Sequence, residues 1–83
     1  MNEARIKLAK VMGIKPTIIS DLILNKYSFD PFTDANNDYA VLEWMRENHL
    51  EEFQNVLDGQ RAWHYKIGDY ARAACKVLGI EYV

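Results

Sequence analysis

The chain is poor in the residue types on which most small specialised domains depend: one cysteine, two histidines, two prolines and four glycines in 83 residues. A lone cysteine, Cys75, cannot close an internal disulfide, so the stapled scaffolds of oxidising compartments are excluded and a reducing cytosol is expected. His49 and His64 stand far apart, with no ligand or nucleophile spacing between them. No Gly-rich phosphate loop, metal motif or nucleophile elbow occurs. The sequence therefore predicts a protein that is not an enzyme, with no catalytic residue, no metal and no cofactor. Long hydrophobic runs are also missing. The longest, around Thr17 to Leu24, is broken by Ser20 and Asp21 and is too short to cross a bilayer. Met1 to Lys7 alternates charged with apolar residues, unlike the continuous apolar stretch of a signal peptide. No membrane partner is expected.

Excess charge of one sign is lacking too. Ten Lys and Arg against twelve Asp and Glu leave a net of −2, which supplies no global attraction to nucleic acid or anionic lipid. The balance hides a pattern: residues 1 to 26 carry five bases against Glu3 and Asp21, while residues 27 to 59 carry Arg46 against eight acids, a net of −7. What the chain does have is 49% hydrophobic and 27% charged residues, the composition of an ordinary globule. At this length residues 1–83 make one small domain, burying about 60% of the unfolded surface.

Hydrophobic spacing predicts a helix from about Asn2 to Met12, with Ala4, Leu8, Val11 and Met12 on one stripe and Gly13 as its stop. Lys15-Pro16-Thr17 reads as a new start. The β-branched residues after it leave residues 16–24 open to helix or strand. Asp30 precedes a proline and must be extended, which places a loop over residues 27–34. Thr33 or Asp34 then caps a helix ending near Asn48, with Ala35, Tyr39, Leu42 and Met45 on its apolar side. Trp63, Tyr65 and Ile67 alternate with His64 and Lys66, the pattern of a half-buried strand. Asp58-Gly59 is a preferred hairpin turn, with Phe53 to Leu57 as the partner strand. Leu50, Phe53 and Leu57 also fit a helical stripe, so a helix over residues 49–57 stands as the alternative. The last helix runs from Asp69, its cap, to Leu78, with Gly79 as its stop. The expected fold class is α+β: a short antiparallel hairpin packed with about three helices.

Four groups of residues invite a chemical reading. Asp34, Asn36 and Asp38 occupy the first, third and fifth places of a calcium loop. The sixth, which must be glycine, is Tyr39, and the twelfth, which must be glutamate, is Met45, so capping by the same oxygens is preferred. Cys75 lies in an apolar helical arc and reads as a buried structural thiol. The aromatics could stack bases, yet the acidic chain lacks the basic groove that single-strand binders pair with such rings. Asn36, Glu43, Glu47 and Glu51 lie along one helical side with Trp44 at its margin, an anchor aromatic bordered by acids; this is the candidate surface for a protein partner.

Leu8 to Leu22, with Ala9 at the small position, Gly13 at the turn and Ile14, Ile19 and Leu22 at packing positions, resembles the repressor-type helix-turn-helix. The resemblance implies a DNA-reading surface at Lys15, Thr17 and Ser20, opposed by Asp21, which repels phosphates. A second resemblance spans more of the chain. Leu8-Ala9-Lys10-Val11-Met12-Gly13, Tyr27-Ser28-Phe29-Asp30, the helix through Tyr39 to Met45, Trp63, and Ala71 to Gly79 together resemble the small phage proteins of the phage αβα-sandwich domain. Phe29 stands where that family usually has threonine, and the stretch from Ile14 to Lys26 is shorter than its counterpart. This resemblance implies a phage or prophage accessory protein, cytoplasmic in a bacterial host, that binds another protein and catalyses nothing. DNA binding through residues 5–24 is the alternative, and the oligomeric state is left open.

Overall fold

The computed structural model of the chain describes residues 3–14, 30–60 and 65–82. Four helices make up these parts: α1 (Glu3–Val11), α2 (Ala35–Asn48), α3 (Leu50–Gln60) and α4 (Asp69–Leu78). Among the described residues there is no strand. The α+β expectation is thereby corrected, and with it the sandwich architecture implied by the phage-family resemblance. Residues 16–24, Ala62, Trp63 and His64 lie outside the described residues.

The hairpin expectation fails at residues 53–57 for a local reason. Phe53, Val56 and Leu57 stand at helical spacing and pack together on or against the core. The side-chain amide of Gln54 donates to Asp58 Oδ1 at 2.9 Å, an i,i+4 bond of the kind that a helix brings into reach. Glu51 and Glu52 lie in the first turn, where the helix dipole favours acids. Gly59 falls inside α3 rather than in a two-residue turn, so the Asp-Gly signal is overridden by the burial of Phe53. Tyr65 and Lys66, expected on the second strand, form irregular chain leading into a turn before α4.

The other boundaries follow their local chemistry. After α1 the chain turns at Gly13, where the Ile14 amide donates back to the Ala9 carbonyl at 2.7 Å. Asp34 caps α2 through Oδ1, which accepts from the amides of Asn36 at 2.9 Å and Asn37 at 3.3 Å. A single residue, His49, separates α2 from α3, and its amide closes on the Met45 carbonyl.

Packing is centred on α4. Ala71, Ala73, Ala74 and Cys75 of this helix are all buried, and small side chains let neighbouring backbones approach closely. Among the described helices α4 accordingly touches each of the other three, and α1 meets α4 alone. Leu8 and Ala9 from α1, Val41, Leu42 and Met45 from α2, and Phe53 from α3 complete one continuous core. Val11, expected on the buried stripe of α1, is exposed, and Ala9 is buried instead. None of the described helices is long and apolar enough to cross a membrane.

Candidate functional site

The buried stripe of α2 runs through positions 38, 41, 42 and 45, and the first of these is an aspartate. Asp38 is wholly buried. Its carboxylate serves a helix that is remote in sequence. Oδ1 accepts from the amide of Ala71 at 2.9 Å, and Oδ2 accepts from the amide of Gly68 at 3.0 Å and from the Tyr65 hydroxyl. These amides belong to the start of α4, where backbone donors have no partner within their own helix. Three donors and the positive end of the α4 dipole together offset the cost of taking the charge out of water.

The cap comes from elsewhere because the residue before α4 cannot supply one. Gly68 adopts φ +95°, and a Cβ there would meet the Phe32 carbonyl oxygen at 2.9 Å and the Phe32 Cα at 3.2 Å. Backbone cannot yield as a side-chain tip can, so the position requires glycine, and glycine has no capping oxygen. Asp69, expected as the cap, is instead the first residue of α4. Its Oδ2 turns back to accept from the Lys66 amide at 2.7 Å, and its Oδ1 pairs with the Arg72 guanidinium at 3.2 Å.

Above this latch three tyrosines gather. The ring centroids of Tyr65 and Tyr70 are 4.9 Å apart, and Tyr39 lies 5.9 Å from each. Tyr70 also meets Phe53 at 6.4 Å, which ties the group to the core. Tyr39 is 52% exposed and Tyr65 41%, so two of the three offer ring surface to solvent. Partial burial, reinforced by the bond to Asp38, holds the Tyr65 phenol above the ordinary tyrosine range. Burial also raises Tyr70, aided by Tyr39 and partly opposed by Arg46. Both rings stay neutral at physiological pH. Beside them an open cleft of about 230 Å³ is lined by Leu57, Asp58, Tyr65, Asp69 and Tyr70.

The residues singled out in the sequence are distributed differently. Asn36, Glu43 and Glu47 are exposed on one side of α2, and Glu51 is exposed in the first turn of α3. Trp44 is half-buried, packed against the core with its ring 5.8 Å from His49. Tyr39, expected to face inward with Leu42 and Met45, is turned outward, because Asp38 and Val41 take the inner positions. Cys75 is buried, and burial pushes its thiol up to about 11. Of the three acceptors weighed as calcium ligands, Asp34 and Asp38 are engaged with backbone amides. Among the described residues no group of His, Cys, Asp or Glu could hold a metal ion. Lys15, Thr17 and Ser20 lie outside the described residues.

Sequence reasoning misses the tyrosine group, whose members come from α2, from the approach to α4 and from α4 itself. One signal is present: an aspartate three and four residues before Val41 and Leu42 falls on an apolar stripe, and a carboxylate there must find buried donors. No family model, no curated protein and no solved structure matches the chain.

Proposed function

We propose that this is a non-enzymatic, cytoplasmic binding protein whose ligand is another protein. The observation that carries the reading is the tyrosine group of Tyr39, Tyr65 and Tyr70, presented partly to solvent and held from beneath by the Asp38 latch. Tyrosine gives a large, amphipathic contact area with few rotatable bonds, which is why it is enriched at interfaces. Rings already fixed by neighbours lose little freedom on binding. Glu43 is the i+4 neighbour of Tyr39 on α2, so the exposed acid Glu43 borders the tyrosine face, with Glu47 one turn further along and the exposed Arg46 acting on Tyr70. The lone, buried Cys75 supports a reducing compartment.

The test begins with the tagged full chain used to capture a partner from a lysate of the encoding organism, followed by kinetics with the purified pair. Tyr39→Ala should speed dissociation by about tenfold, the scale of a modest interface anchor. Charge reversal at Glu43 and Glu47 should slow association at low salt, because rim charges act on the encounter rate. Circular dichroism should show both variants folded. A partner that binds both variants as tightly as the parent chain would place the interface elsewhere.

A further inference from the structure

The cleft beside the tyrosines has a composition that selects its occupant. Its volume, about 230 Å³, corresponds to about eight water molecules and falls below the ~300 Å³ at which pockets for whole small-molecule ligands begin. That is room for one side chain. The Tyr65 hydroxyl spends its proton on Asp38, and both oxygens of Asp69 are engaged, one by Arg72 and one by the Lys66 amide. Asp58 is different. It is exposed, it accepts only the neutral amide of Gln54, and no basic group pairs with it among the described residues. The lining therefore offers two ring faces, the apolar flank of Leu57 and an anionic acceptor. Among the described residues, the one lining side-chain donor without a hydrogen-bond partner is the Tyr70 hydroxyl. Arg46, the cation that acts on Tyr70, comes from α2 and does not line the cleft.

We propose that this cleft receives the guanidinium of a single arginine carried by the protein partner, stacked on the tyrosine faces and hydrogen-bonded to Asp58. A planar, weakly hydrated cation with several donors matches aromatic faces beside a carboxylate better than a compact, strongly hydrated ammonium does. Leu57 and Asp58, on the α3 side of the cleft, belong to the acidic stretch 27–59, which carries a net of −7. The inference rests on the binding reading above and deepens it by naming the chemistry of the contact.

The experiment is a titration of the ¹⁵N-labelled full chain, followed by amide NMR, with the peptide acetyl-Gly-Arg-Gly-amide and with its neutral citrulline and lysine counterparts. The arginine peptide should shift the amides of Leu57, Asp58 and Tyr70. The citrulline peptide should bind at least several-fold more weakly and the lysine peptide should fall between. Asp58→Asn, which keeps the shape and the bond to Gln54, should erase the preference. Equal responses to arginine and citrulline, shifts confined to Glu43 and Glu47, or no shift at these amides up to ~10 mM, well above the ~1 mM dissociation constant of a weak contact, would overturn the proposal. With a captured protein partner the two readings separate. Loss of affinity in Tyr39→Ala but not in Asp58→Asn keeps the tyrosine face as the interface and removes the arginine.

Discussion

Asp38 is the side chain on which the described structure depends most heavily. Replacing it with alanine leaves two buried amides and a phenol without an acceptor, and each unpaired group costs about 1–3 kcal/mol. In a small domain whose whole stability is of the order of 5 kcal/mol, Asp38→Ala should fail to give a cooperative melt. Asp38→Asn is the informative variant. It preserves volume and one acceptor but turns an NH₂ group toward one of the donors. It should fold with a loss of about 2 kcal/mol, read from urea unfolding. A loss below about 0.5 kcal/mol would mean that the carboxylate does not hold the start of α4.

Local signals settle the helices whose ends are locally determined, and mislead where a distant residue decides. Gly13, Asp34 and Gly79 sit at the ends of α1, α2 and α4 as residue type alone predicts. The start of α4 is misread from sequence because its cap lies thirty positions upstream of Gly68, a separation that no window of sequence contains. Residues 53–57 fit both strand and helix in sequence, and the preference for the strand fails for the opposite reason: a strong turn dipeptide, Asp58-Gly59, suggests a hairpin where Phe53 needs the alternative helix to reach the core. The tyrosine face is invisible because alternation around Tyr65 looks like a strand, and Tyr39 looks like core. The helical assignment of α3 can be tested at Gly59, where an added methyl would meet open space and the backbone is not left-handed. Gly59→Ala should stabilise the protein by about 0.5–1 kcal/mol, as in any helix, raising the midpoint of urea unfolding. In a hairpin turn requiring positive φ the same change would lower it.

At the scale of the whole molecule, the shifted groups act in one direction. Tyr65, Tyr70 and Cys75 are all harder to ionise when folded than their ordinary values of 10.0, 10.0 and 9.0. An acid whose folded pKa is raised lends its full stability below the unfolded value and loses it as pH rises toward the folded one. The melting temperature should therefore hold through neutral pH, begin to fall above pH 9 as Cys75 enters its window up to about 11, and fall further above pH 10 as the tyrosines follow. Cys75→Ala should delay the onset. A melting temperature unchanged to pH 11 would contradict this. The latch also has a consequence for motion. Amides in the first turn of a helix ordinarily trade their protons with solvent quickly, because nothing in the helix shields them. Those of Gly68 and Ala71 are locked to a carboxylate on α2, so they can open only when α2 and α4 separate. In deuterated buffer these two protons should persist as long as the most protected amides of α4, recording the lifetime of the entire fold from a position at its edge.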